Sequence, residues 1–107
     1  MNASFVPSPA HADIRATGLR VIRQEVEGLK ALADALDATF EHAVQCILSA
    51  EHRVVVCALG KSGHVGRKVS ATLAASGTPS FFIHASEASH GDLGMLMEGD
   101  VLMLFSN

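Results

Sequence analysis

The feature that most constrains the fold is an uncharged apolar run followed by a glycine-rich turn and a helical pattern. The run is Val54–Leu59, and half of its residues are valine. Such a run is typical of a strand buried on both faces of a parallel sheet. Gly60-Lys61-Ser62-Gly63 follows and opens a helical pattern that Gly77 is expected to end. A strand joined through a helix to another strand predicts a parallel α/β sheet.

Two helices are predicted ahead of this first strand. Leucine, isoleucine and valine residues spaced by three or four positions predict a helix over Asp13–Leu36. Asp37 is a good N-cap for a second helix that ends near His52. Residues 1–12 lack the basic and apolar regions of a secretory signal, so we expect a flexible tail there.

Two further apolar runs complete a three-stranded pattern. The second strand is predicted over Ser80–His84 and the third over Asp100–Phe105, with a loop and a short helix between them. The expected fold class is α/β, with a parallel sheet preceded by two helices. A sheet of three strands is thin, and its last strand would be an exposed apolar edge. We therefore expect that the chain is truncated within a larger domain, or that another chain covers this edge.

Charge and cysteine content narrow the class of protein. The formal net charge is -3, and the eight lysines and arginines are scattered, which disfavours nucleic-acid binding. No apolar run approaches the roughly 20 residues of a membrane span. Cys46 and Cys57 form no CxxC pair, so we expect buried, reduced thiols in a cytoplasmic protein.

The carboxyl ends of the predicted strands hold most of the unusual polar residues, and ligands of parallel sheets bind at such ends. The first of these segments, Gly60–His64, matches neither common phosphate motif. A Walker A loop would need glycine at Val55, and a dinucleotide fingerprint would need it at Ala58. Free N–H groups at a helix start, together with Lys61, still suit an anion. The alternative is an ordinary turn capped by Ser62, with Lys61 solvated.

A second polar segment follows the second strand and contains two histidines and two carboxylates: His84, Glu87, His90 and Asp92. Their spacing matches no standard zinc pattern. The residues are therefore open to three interpretations, namely a metal site, polar contacts to a substrate, or hydrogen bonds within the loop.

Taken together, Val54–Met95 resembles the opening of a sugar isomerase (SIS) domain. The blocks GKSGH at Gly60–His64 and HGDLGM at His90–Met95 resemble the D-arabinose 5-phosphate isomerase family of the lipopolysaccharide sugar pathway. This resemblance implies a three-layer α/β/α sandwich with a doubly wound, flavodoxin-like parallel sheet, and a homo-oligomer with shared active sites. It also implies interconversion of D-ribulose 5-phosphate and D-arabinose 5-phosphate through an enediol(ate), with no nucleotide and no required cofactor.

The resemblance also implies roles for individual residues. Lys61 matches a lysine of catalytic relevance, and Ser106-Asn107 match the start of a phosphate loop. The His84 position is also linked with bound zinc, inhibitory or incidental rather than required. The implied substrate contacts are Gly60, Ser62, Gly63, His64, Gly77, Thr78, His84, His90, Ser106 and Asn107.

The resemblance covers only the front part of such an enzyme. Residues 13–107 are expected to form a partial SIS domain. The resemblance implies that such an enzyme continues with the rest of the serine-rich phosphate loop, acidic residues, a later histidine and a pair of CBS modules. Residues 1–107 do not contain these parts. We therefore expect the catalytic base to lie beyond Asn107 and the chain to be inactive alone. One alternative is a non-catalytic SIS module that senses a phosphosugar. Another, a Rossmann protein, is disfavoured by Ala58 and by the poor placement of Glu87.

Overall fold

The computed structural model describes residues 13–106, in two units that divide between Thr39 and Phe40. The first unit contains α1, Ile14–Ala35, which confirms the predicted helix to within one residue at each end. None of the residues of α1 is buried, so its apolar stripe stays exposed. Within the described part of the chain, no helix has the length and hydropathy needed to cross a membrane. The predicted tail, residues 1–12, lies outside the described residues.

The second helix, α2 at Ala38–Leu48, begins where its cap was predicted but ends earlier. The Oδ1 atom of Asp37 accepts a hydrogen bond from the backbone N–H of Thr39 at 2.9 Å, as an N-cap does. The predicted end near His52 is wrong. The backbone N–H of His52 donates to the carbonyl of Gly99 at 3.3 Å, so this segment joins the turn before the third strand instead of continuing the helix.

The second unit is built on a sheet of three parallel strands, which confirms the predicted fold class. The strands are β1 (Val54–Ala58), β2 (Ser80–His84) and β3 (Val101–Phe105), in the order β2-β1-β3. All five residues of β1 are buried, as expected for a central strand covered on both faces. The strand ends one residue before the predicted end, and Leu59 is exposed.

The third helix, α3 at Lys61–Ala75, packs against β1 and β2 through small residues. A β-carbon on Gly66 would lie 2.8 Å from Cε1 of Phe82 and 3.2 Å from Cγ1 of Val56. The helix therefore comes closer to the sheet here than any side chain would allow. The buried positions of this helix are Gly63, Gly66 and Ser70.

Gly77 ends α3 as predicted. Its φ is +96°, a left-handed conformation that glycine adopts without strain. Its N–H donates to the carbonyl of Ala74 at 3.2 Å, and the N–H of Thr78 donates to the carbonyl of Leu73 at 2.9 Å. These two bonds form a Schellman motif, which satisfies carbonyls that the helix end would leave unpaired.

The segment between β2 and β3 contains α4, Ala85–Ala88, and a 3₁₀ helix, Asp92–Met95. This agrees with the predicted loop and short helix. Gly91 precedes the 3₁₀ helix with a φ of +114°. The segment thus returns the chain from the carboxyl end of β2 to the amino end of β3.

A part-buried ion pair joins the amino ends of β1 and β3. The guanidinium of Arg53 donates to both carboxylate oxygens of Asp100, at 2.9 and 3.3 Å, and to the carbonyl of Met95 at 2.6 Å. The guanidinium also lies 4.6 Å from the ring centre of Phe81. The Arg53 hydrogen bonds, then the backbone N–H of Met97, lower the pKa of Asp100 from 3.8 to about 2.

Candidate functional site

The three strands end at one level of the sheet. Ala58, the last residue of β1, pairs with His84 on one side and Phe105 on the other, and these are the last residues of β2 and β3. The segments that follow the strands therefore start from the same edge. This is the carboxyl edge, where ligands of parallel sheets bind.

The start of α3 is shaped by glycine. Gly60 is the N-cap residue with a φ of +65°, and its carbonyl accepts a hydrogen bond from the N–H of Gly63 at 2.9 Å. The interpretation that Ser62 caps this helix is wrong, because Gly60 holds the cap position and no side chain bonds the helix start. Ser62 instead lies one residue inside the helix and is half-buried.

The first turn of α3 carries positive charge that no acidic side chain of that turn balances. It contains no acidic residue, and Lys61 and His64 are both exposed there. Within residues 13–106, the ammonium of Lys61 forms no ion pair. A helix start already carries a partial positive charge and free N–H groups, and Lys61 adds a full charge. This turn therefore suits a phosphate or a developing oxyanion.

His84 faces this turn from the end of β2. Its ring carbon Cδ2 lies 3.9 Å from the point that a β-carbon on Gly63 would occupy. Its Nδ1 accepts a hydrogen bond from the backbone N–H of Ser86 at 3.2 Å and lies 2.7 Å from the Ser86 hydroxyl. Ser86 was not among the site residues predicted from the sequence. The signal that could have found it is a serine two residues after a histidine that ends a strand. Such a serine can hydrogen-bond the histidine side chain where the next helix begins.

The remaining predicted site residues are Gly77, Thr78, His90, Ser106 and Asn107. Gly77 and Thr78 lie at the far end of α3, about 22 Å along a helix of 15 residues. His90 is exposed in the turn after α4, and its ring makes no hydrogen bond within residues 13–106. Ser106 is exposed just after β3. Asn107 lies outside the described residues.

The described residues do not fit a zinc site at His84. Residues 13–106 contain no group of three or more histidine, cysteine, aspartate or glutamate side chains that could hold a metal ion. A histidine that binds a metal through one ring nitrogen usually donates the N–H of the other to an oxygen. The Nδ1 atom of His84 accepts a hydrogen bond instead. Glu87, His90 and Asp92 therefore do not join it as ligands here.

A parallel sheet with a glycine-capped, lysine-bearing helix start at its carboxyl edge defines an α/β domain suited to anionic ligands. Comparison with known families gives the particular class. Residues 47–107 match the SIS domain, and the chain belongs to the SIS domain family.

Similar proteins agree with the resemblance inferred from the sequence. The chain is 44% identical over 95 residues to the arabinose 5-phosphate isomerase KdsD of Yersinia pestis. It is 48% identical over 88 residues to the KdsD of Pseudomonas aeruginosa. These matches cover 89% and 82% of this chain, but only 29% and 27% of the two relatives. The chain thus spans less than a third of either relative's length.

A solved structure shows the same fold. The structure of Escherichia coli CFT073 c3406, solved in complex with arabinose 5-phosphate, has a TM-score of 0.83 and 38% sequence identity to this chain. The match covers 90% of this chain and 51% of that one. The parallel sheet and its helices therefore share the fold of the Escherichia coli protein.

Proposed function

We propose that this chain is part of a sugar-phosphate isomerase that interconverts D-ribulose 5-phosphate and D-arabinose 5-phosphate. Support comes from the relatives named arabinose 5-phosphate isomerase and from the similar structure that holds arabinose 5-phosphate. The observation that carries the proposal is the start of α3. The turn that contains Lys61 and free backbone N–H groups lies beside His84, at the carboxyl edge of the sheet.

The proposed reaction needs a base and a group that stabilises an oxyanion. Removal of the proton on C2 of the aldose gives a 1,2-enediolate, and return of a proton to C1 gives the ketose. The proton on the C2 hydroxyl moves to the C1 oxygen, so the reaction is balanced without an external oxidant. In this proposal it also requires no cofactor. Lys61 stabilises the negative charge on the enediolate oxygen.

Other parts of the proposal concern the rest of the site. Ser106 starts the loop that binds the phosphate group, and the catalytic base comes from sequence beyond this chain. Residues 1–107 alone would then bind substrate weakly and turn over little, since the relatives extend well past the matched segment. We further propose a cytoplasmic homo-oligomer whose subunits share active sites.

Substrate binding is tested first by an amide NMR titration of the chain with D-arabinose 5-phosphate, with inorganic phosphate as the control. We expect shifts around Gly60–His64 and at His84 that are larger for the sugar phosphate than for phosphate. Equal shifts for both ligands would point to a simple anion site. A folded spectrum without shifts would contradict the proposal for this part of the chain.

The role of Lys61 is tested in a chimera in which this chain replaces the matched segment of the Pseudomonas KdsD. Lys61→Ala should lower kcat about 100- to 1000-fold, the effect of removing one oxyanion-stabilising group. Lys68→Ala is the matched control, because Lys68 is an exposed lysine two turns further along the same helix, and its loss should change kcat less than about twofold. Similar kcat values for the two variants would remove Lys61 from the mechanism. Sugar-phosphate binding without turnover in the chimera would favour the sensor alternative.

A further inference from the structure

The hydrogen bonds of His84 determine which of its ring nitrogens carries the proton. The backbone N–H of Ser86 points at Nδ1 from 3.2 Å. A backbone N–H is only a donor, so Nδ1 must present its lone pair. A neutral imidazole has a single N–H, which therefore lies on Nε2.

The hydroxyl of Ser86 strengthens this assignment. Its Oγ lies 2.7 Å from Nδ1. Because Nδ1 is already an acceptor, the hydroxyl donates to it, and two donors from one residue converge on the same lone pair. The opposite tautomer would place an N–H on Nδ1 against the backbone N–H of Ser86.

The Nε2–H of His84 is left available at the carboxyl edge. Cδ2, the ring atom bonded to Nε2, is the part of the ring that lies 3.9 Å from the β-carbon point of Gly63. His84 is half-buried, and Nε2 has no hydrogen-bond partner within residues 13–106. The neighbouring groups at the start of α3 are donors as well, namely the helix N–H groups and the ammonium of Lys61.

We propose that Ser86 is a positioning residue that fixes His84 as an Nε2–H donor toward an oxygen of the phosphosugar, rather than as a metal ligand or a general base. This inference rests on the proposed function and adds a role that the fold alone does not give. A cluster of donors matches an anionic or hydroxyl oxygen of the substrate. A metal ion at Nε2 would first have to displace the proton and break the Ser86 contacts.

The first test is the ¹⁵N NMR spectrum of the His84 ring in the ligand-free chain, recorded at alkaline pH where free imidazole is neutral. We expect Nδ1 to have the shift of an unprotonated ring nitrogen and Nε2 that of a protonated one. Ser86→Ala should add a population of the opposite tautomer, and Ser86→Thr, which keeps a hydroxyl, should restore the wild-type spectrum. Ser89→Ala is the matched control, because the Ser89 hydroxyl bonds the Ser86 carbonyl at 2.7 Å and is not bonded to His84. Ser86 and Ser89 are both exposed, so these substitutions should preserve folding.

The second test uses D-arabinose 5-phosphate and zinc ions with the same variants. Ser86→Ala should weaken sugar-phosphate binding about three- to tenfold, as expected when one hydrogen-bonding group loses its orientation. It should also make zinc binding at His84 tighter. Ser86→Thr should reverse both changes, and Ser89→Ala should cause neither.

Each outcome decides between the two proposals. A protonated Nδ1 in the wild type would overturn the role of Ser86. Because Ser86→Ala keeps the backbone N–H, a tautomer unaffected by this variant would overturn the role of the Ser86 hydroxyl. Unchanged sugar-phosphate affinity in Ser86→Ala, despite an altered tautomer, would overturn the donor role of His84. If the wild-type tautomer is as expected but no sugar phosphate binds, the proposed function fails and the hold of Ser86 on His84 stands.

Discussion

Gly66 offers a sharp test of how α3 is fitted to the sheet. A β-carbon at this position would lie 2.8 Å from Cε1 and 3.3 Å from Cδ1 of Phe82, and 3.2 Å from Cγ1 of Val56. Val56 is fully buried, so it has no room to move. The Arg67 guanidinium lies over the Phe82 ring, 4.5 Å from the ring centre, and restricts its movement. The clash must therefore be relieved by a shift of the helix or of the ring.

The expected cost of Gly66→Ala follows from two opposing effects. Overpacking of a well-packed core costs about 1–3 kcal/mol. Alanine regains up to about 1 kcal/mol because it favours the helix more than glycine does. We expect a net loss of about 1–2 kcal/mol in the free energy of unfolding. For a unit of this size, that corresponds to a fall in Tm of roughly 5–15 °C.

The matched control is Gly63→Ala, one turn earlier on the same buried face. Its β-carbon would meet only Cζ of Phe82 at 3.6 Å and Cδ2 of His84 at 3.9 Å, which are ordinary contacts. This variant should gain up to about 1 kcal/mol. Thermal and urea unfolding, followed by circular dichroism, measure both changes. Gly66→Ala should therefore lower the free energy of unfolding, and Gly63→Ala should raise it.

A double-mutant cycle identifies the clashing partner. Phe82→Leu removes Cε1, the ring atom nearest to the Gly66 β-carbon point, so Gly66→Ala should cost about 1 kcal/mol less in that background. Strictly additive costs, or a Gly66→Ala variant as stable as Gly63→Ala, would refute the packing argument.

The remaining predictions concern the ends of α3 and the sheet. Gly77→Ala should lower the free energy of unfolding by about 1–2 kcal/mol from backbone strain alone, since the φ of Gly77 is +96° and no atom lies within 4 Å of its β-carbon point. Gly77→Asn should cost less. Equal urea midpoints for the two variants would contradict this prediction. Because the folded pKa of Asp100 is about 2, below its ordinary 3.8, this residue stabilises the fold above about pH 4, and that contribution disappears as the pH falls toward 2. Asp100→Asn should therefore be less stable at neutral pH and lose less stability over that acid range, as measured by urea midpoints against pH. An unchanged dependence of the urea midpoint on pH would show that the ion pair of Arg53 and Asp100 does not control stability at acid pH.

Much of the sheet could be predicted because its strands leave strong local signals. The run Val54–Leu59 has no charge, and its burial was predicted correctly for Val54–Ala58, although Leu59 is exposed. The strand β2 starts and ends at the predicted residues. The end of α2 could not be predicted, since it depends on Gly99, a residue distant in the sequence. A local pattern does not contain such a contact.

The buried face of α3 shows a second limit of sequence patterns. The apolar residues at helical spacing in α3 are Val65, Val69 and Leu73, yet Val65 is 59% exposed. The helix instead packs against the sheet through Gly63 and Gly66. Hydrophobic periodicity does not predict this contact, because glycine has no side chain. The packing requirement comes from Phe82 on the next strand.

The candidate site was predictable in its location and only partly in its detail. The carboxyl-edge rule placed the turn at Lys61 and the end of β2 at His84 correctly at one edge. It could not show that Gly60, rather than Ser62, caps the helix, because the choice depends on backbone dihedral angles. Nor could it show that Ser86 holds the His84 ring.

The central place of β1 also bears on the order in which the second unit folds. Val54 pairs with Ser80 on one side and with Val101 on the other, so the first pairing closes a chain loop little more than half as long as the second. The shorter loop costs about 0.5 kcal/mol less in closure entropy, and α3 lies within it to bridge the two strands. We therefore expect the β1-α3-β2 segment to form first and β3 to pair with β1 afterwards. Substitutions in β1 and α3 would slow folding, whereas those in β3 would mainly speed unfolding.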